Sequence, residues 1–97
     1  MTARPGLEPT AGMAAYAVSK AALVHLTRVL DLELRPLGIR VNAVAPQQLD
    51  TAKTHPCLTP EVLAHAVAPK AVADIIVYLV SDAAAPVSGA VVPAYGA

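Results

Sequence analysis

The sequence predicts an α/β chain on a parallel sheet, laid out as the closing part of a doubly wound fold. Three observations carry this. A long alanine- and leucine-rich stretch, Met13 to Leu37, leads directly into a short apolar run, Ile39 to Ala45. A second helical pattern, from about Pro69 to Ser81, leads into a second apolar run, Ser88 to Ala94. Two such runs by themselves make a poor sheet, so the first strands of the fold are expected to be absent from these 97 residues.

Each element has local support. Residues 1–12 hold Pro5, Gly6, Pro9 and Gly12, which is loop chemistry. From Met13 the chain is free of proline until Pro36, and apolar residues fall on nearly every face of the predicted helix. Such a helix is expected to be buried on most sides. Arg28, Asp31 and Arg35 stand three and four apart in its second half, and Gly38 follows as a left-handed cap. The run Ile39 to Ala45 is a strand stopped by Pro46. Residues 46–59 read as a long polar loop, after which Thr59 caps a short helix with Pro60 at its first position. In the last helix Val72, Ile75, Ile76, Leu79 and Val80 form the expected core face.

Composition narrows the function. The chain is 56% apolar and 14% charged, with no Phe or Trp, so its core must be built from Ala, Val, Leu and Ile. An apolar excess in a chain this short implies surface that wants a partner. The formal net charge is zero and the basic residues are scattered, which argues against nucleic acid and anionic membranes. Cys57 is the lone cysteine, and His25, His55 and His65 lack close ligand spacing, so no metal site is expected. Pro5 and Gly6 interrupt any leader-like apolar run, and no apolar stretch is long enough to span a membrane. The expected setting is the cytoplasm.

Tyr16 and Lys20 are the sharpest chemical pair. On a helix, residues four apart share a face with Cβ atoms about 6 Å apart. A free phenol holds its proton up to a pH of about 10, and a neighbouring ammonium favours the phenolate. The pair therefore suits general acid–base work, with Lys20 tuning Tyr16. Spacing alone is weak, because Tyr and Lys fall four apart in many helices as surface neighbours.

The wider sequence is more specific. Tyr16-Ala-Val-Ser-Lys20-Ala-Ala-Leu23 resembles the active-site helix of the short-chain dehydrogenases/reductases. Gly38-Ile-Arg-Val-Asn-Ala-Val-Ala-Pro46 resembles that family's next strand, and Leu79-Val-Ser-Asp82 followed by Gly89 resembles its last helix and strand. The resemblance runs from about Gly6 to Gly96. It implies the C-terminal fragment of a Rossmann-like doubly wound parallel sheet, in the order helix, strand, loop, helix, strand. It also implies a single partial domain, 1–97, lacking the N-terminal dinucleotide-binding half. The implied activity is oxidation of an alcohol or reduction of a ketone with NAD or NADP. By the same resemblance Tyr16 moves the substrate proton, Lys20 tunes it and holds the nicotinamide ribose, and Pro46, Leu49 and Thr51 contact the carboxamide. The partners implied are a small alcohol or ketone and a homo- or hetero-oligomer formed through the helices.

Three departures temper the expectation. Counting back from Tyr16, and anchoring on Gly6-Leu7, the family's catalytic Ser position falls on Ala3; Thr2 replaces it only with a shift of register. The Gly that usually follows the Pro is Gln47. No glycine-rich turn between strand and helix is present to cradle a pyrophosphate. This chain by itself is therefore expected to be inactive, and the alternative is a chain that packs on another subunit of the same family. His55 and Cys57 are weaker pocket candidates. Asp74 and Asp82 read as helix-surface or capping residues, and Arg40 and Asn42 as local hydrogen-bonding residues.

Overall fold

A computed structural model of the chain describes residues 1–47, 49, 59–60 and 66–96. Helix α1 spans Ala14–Leu34 and passes into a 3-10 turn, Arg35–Leu37. Pro36 explains the change, because it has no N–H to donate to Leu32 and its ring crowds that carbonyl. Gly38 closes the turn in the left-handed region, with φ 75°. Strand β1 is Ala43–Pro46, helix α2 is Pro69–Leu79, a 3-10 turn follows at Asp82–Ala84, and strand β2 is Val91–Ala94. Of the short helix predicted after Thr59, only Thr59 and Pro60 lie among the described residues.

The two strands pair in parallel, with Ala43 opposite Val91 and Pro46 opposite Ala94. Both begin later than the sequence predicts. Ahead of Ala43, one backbone bond, from the Gly89 N–H to the Val41 carbonyl at 2.7 Å, is joined by side chains. The Val41 N–H donates to Ser88 Oγ at 3.2 Å, Asn42 Nδ2 donates to the Val87 carbonyl at 3.1 Å, and the Ala90 N–H donates to Asn42 Oδ1 at 3.0 Å. On the opposite edge of β1, the Thr2 N–H donates to the Val44 carbonyl at 3.0 Å. Alternate residues of a strand direct their backbone groups to opposite edges. Ala43 faces β2 through its 2.9 Å bond to Ala90, so Val44 faces the N-terminal segment. Strand β1 thus lies between that segment and β2, and all four of its residues are buried.

The core is small. Val44, Val72, Leu79 and Ala94 are buried together, with Leu49, Val67, Ile75, Val87 and Val92 packed against them. Positions 72, 75 and 79 form one stripe of α2. Ile76 and Val80, expected on that face, are not in it; they are 38% and 74% exposed and lie one step round the helix. Arg40 closes the end of α2. Its Nη1 donates to the carbonyls of Leu79 (2.7 Å), Ala84 (3.0 Å) and Val87 (3.2 Å), and its Nη2 to that of Ser81 (3.2 Å). One guanidinium thereby serves the Leu79 carbonyl at the helix end and ties it to the turns that follow.

Helix α1 corrects a second expectation. It is not buried on most sides: only Val24, Thr27 and Asp31 are buried along its length. Val18 and Leu32 are each 69% exposed, and Leu23 and Leu26 are exposed as well. The described residues cover a single stripe of α1 and leave its other apolar faces uncovered by any described residue. The polar members of the stripe are satisfied within it. Thr27 Oγ1 donates to the Leu23 carbonyl at 2.8 Å. The carboxylate of Asp31 accepts from Arg35 and from the Ser88 hydroxyl, which ties α1 to the turn before β2.

Candidate functional site

Tyr16 and Lys20 lie in the first two turns of α1, on one face. Lys20 Nζ stands 5.6 Å from the centroid of the Tyr16 ring, within the range of a cation–π contact. Tyr16 is 45% exposed and Lys20 half-buried. Neither the phenol oxygen nor the ammonium has a hydrogen-bond partner among the described residues, which leaves both groups with capacity for a ligand.

The backbone under this pair is held tightly. Thr2 is 3% exposed, and its Oγ1 donates to the Lys20 carbonyl at 2.6 Å. Gly6 lies so close that a Cβ there would meet Lys20 C at 2.8 Å and Thr2 Oγ1 at 2.9 Å, so only glycine fits. The Thr2 N–H is meanwhile paired with β1, so a single residue joins the sheet to the Lys20 turn. This decides a point the sequence left open. The Thr2 hydroxyl spends its proton on the helix and does not stand in for the Ser expected at Ala3. Ala3 is itself 5% exposed and offers no hydroxyl.

Pro46 ends β1 and is buried. Leu49 forms an isolated parallel bridge with Val67 and packs on the core. Thr51, His55, Cys57 and His65 lie outside the described residues. Gln47, at the usual Gly position, has a partner the sequence does not reveal: Arg4 Nη1 donates to its Oε1 at 2.8 Å. Arg4 Nε also donates to Glu8 Oε2 at 2.7 Å, and the guanidinium lies 4.5 Å from the centroid of the Tyr95 ring. The Glu8 hydrogen bond raises the pKa of Arg4 further above its already high ordinary value, so the group stays cationic. Arg4 and Glu8 four apart is the one part of this cluster a sequence signals; Gln47 and Tyr95 are far away along the chain.

Arg4, Gln47 and Tyr95 each stand just beyond a segment of the sheet. Thr2 pairs with Val44 and Arg4 with Gln47, so the N-terminal segment runs in the same direction as β1. The three residues therefore share the carboxyl edge of parallel chains, where open α/β sheets take their ligands. Among the described residues no group of three or more His, Cys, Asp or Glu could hold a metal ion, and no helix is long and apolar enough to cross a membrane.

Comparison with known proteins identifies the family. A family model described as enoyl-(acyl carrier protein) reductase matches residues 2–96. The chain belongs to the short-chain dehydrogenase/reductase family. It is 46% identical over 99 residues to protein FixR of Bradyrhizobium diazoefficiens, covering 93% of this chain and 34% of the relative. It is 40% identical over 88 residues to galactitol 2-dehydrogenase of Rhizobium johnstonii, covering 80% of this chain and 34% of the relative. Among solved structures, a 7α-hydroxysteroid dehydrogenase complexed with NADH and 7-oxo glycochenodeoxycholic acid superposes with a TM-score of 0.87 at 32% identity, covering 99% of this chain and 41% of that one. The fold is accordingly α/β of the Rossmann type. The chain spans about two-fifths or less of the length of these relatives.

Proposed function

We propose that this chain is the catalytic and substrate-loop part of an NAD- or NADP-dependent oxidoreductase that interconverts a small alcohol and its ketone. The observation that carries the reading is the Tyr16–Lys20 pair, on one helix face and keyed through Lys20 to the sheet, in a chain of this family. Tyr16 Oη gives a proton to, or takes one from, the substrate oxygen. The Lys20 ammonium stabilises the phenolate form, and its remaining donors hold a ribose hydroxyl of the cofactor. Pro46, Leu49 and Thr51 border the carboxamide. A bound nicotinamide supplies the hydride acceptor or donor.

The residues fit one end of such a cofactor. Lys20 Nζ has donors to spare, and the sheet presents its carboxyl edge. The pyrophosphate end has no counterpart among the described residues: α1 follows Met13 and α2 follows Ala68, neither start has a side-chain cap, and neither follows a glycine-rich turn. We therefore assign 1–97 as a partial domain that relies on a dinucleotide-binding half. Purified chain mixed with each cofactor and a panel of alcohols and ketones is expected to give no turnover, read by absorbance of the reduced nicotinamide. Joined to a dinucleotide-binding half, it is expected to turn over, and Tyr16→Phe to lower the rate by about 10²–10⁴. A rate untouched by Tyr16→Phe would remove Tyr16 from the mechanism.

A second reading has its own observation. The exposed apolar residues of α1, with Val77 (64%), Tyr78 (51%) and Val80 (74%) after them, suit a chain that packs on another subunit of the family without catalysis. Light scattering on the eluting chain separates the readings, since a cooperatively unfolding monomer is incompatible with the second.

A further inference from the structure

We propose that Arg4 is a structural tether at the edge of the candidate site, bolting together the chain segments that leave neighbouring parallel strands. The inference rests on the reading that this carboxyl edge receives the nicotinamide, and extends it to residues which that reading does not use.

Arg4 meets three segments with one planar group. Its Nη1 reaches Gln47 past the end of β1 at 2.8 Å, its face lies 4.5 Å from the Tyr95 ring past the end of β2, and its Nε is oriented by Glu8 at 2.7 Å. The Arg4–Gly6 turn that carries it is wedged against α1, where Gly6 touches the Lys20 backbone. The guanidinium fork suits the task because its donors are fixed in one plane while its face remains free to stack. Lysine carries a single point-like head and cannot hold an acid and an amide in that plane while stacking on a ring.

Gln47 completes the device. The family resemblance places a Gly after the Pro, a residue with no side chain to tether. Here the side chain is tethered to Arg4 across 43 positions of sequence. The turn after Pro46, which would border the carboxamide, is thus fixed to the same small segment that fixes Lys20.

The test is amide hydrogen exchange on the intact chain, comparing wild type with Arg4→Ala, Arg4→Lys, Gln47→Ala and Gln47→Glu. Arg4→Ala is expected to speed exchange about three- to tenfold both at residues 44–47 and at 94–96, with α1 unchanged. Gln47→Ala should speed only the first segment, and adding it to Arg4→Ala should do nothing more there. Gln47→Glu keeps an acceptor and should retain wild-type protection, whereas Arg4→Lys should not. Exchange that rises equally throughout α1, or single-variant effects at 44–47 that add, would overturn the proposal. Arg4 and Gln47 are surface-accessible, so folded variants are expected, and far-UV circular dichroism checks this. Exchange needs no catalysis, so loss of the oxidoreductase reading by the Tyr16→Phe assay is a separate outcome from loss of the bolt.

Discussion

At the scale of single residues, the chain uses small side chains in places where a larger active site would use polar ones. Ala3 is the clearest case. It is buried at the end of the segment paired with β1, beside a threonine whose hydroxyl belongs to Lys20. Restoring the hydroxyl with Ala3→Ser, in a chain joined to a dinucleotide-binding half, is expected to raise turnover by about 10–10³, the range of one oriented donor at a reacting oxygen. A steady-state assay checks this, and an unchanged rate would mean that the site works without that donor. Asp31 is another residue whose role is local. The Ser88 hydroxyl, then Arg35, hold its carboxyl below the ordinary 3.8, against the opposing effect of burial. A carboxyl depressed in the folded state contributes stability above its ordinary range and loses it as pH falls through the folded value. Unfolding midpoints are expected to fall with acid below about pH 3.8, and Asp31→Asn to flatten that slope.

At the scale of elements, most of the architecture was legible. The order helix, strand, helix, strand followed from periodicity, and Gly38 and Pro46 marked boundaries for steric reasons that do not depend on the rest of the fold; the first helix was read through Pro36 to Leu37, past its end at Leu34. Strand starts were misplaced because Asn42 and Ser88 supply ladder bonds from side chains, and apolar patterning does not register those. The exposure of Ile76 and Val80 was also unreadable, since both are as apolar as the residues of the Val72–Leu79 stripe beside them. Arg40 and Asn42 were read as local hydrogen-bonding residues, and both act so. Arg40→Ala is expected to cost about 2–3 kcal/mol, because it strips a charged donor from four carbonyls around the end of α2. The denaturant midpoint measures it. The turn before β2 makes a sharper demand. Gly89 has φ +74°, and a Cβ there would meet Asp31 Oδ2 at 2.5 Å. Gly89→Ala is expected to destabilise by at least about 1–2 kcal/mol from backbone conformation alone. The same denaturant titration would show it.

At the scale of the whole molecule, the chain belongs to a family of oxidoreductases and, on the proposed reading, carries residues that act on substrate, with several apolar faces left open among the described residues. The proposed reaction class rests on family membership together with the Tyr16–Lys20 helix and the Pro46 edge. The loop 47–58, expected to shape specificity, gave no readable pattern, and of it only residues 47 and 49 are described. The Arg4 cluster escaped sequence reading for a different reason: its partners are joined by the fold, and nothing in the local sequence of Gln47 or Tyr95 announces them. The central claim is that Tyr16 acts in a site completed by a dinucleotide-binding half. The most direct measurement follows reduced nicotinamide with three samples: the 97 residues alone, the same residues joined to such a half, and that joined chain carrying Tyr16→Phe. No turnover is expected from the first, turnover from the second, and a rate reduced by about 10²–10⁴ from the third. Robust turnover by the 97 residues alone, or equal rates with Tyr and Phe, would contradict it.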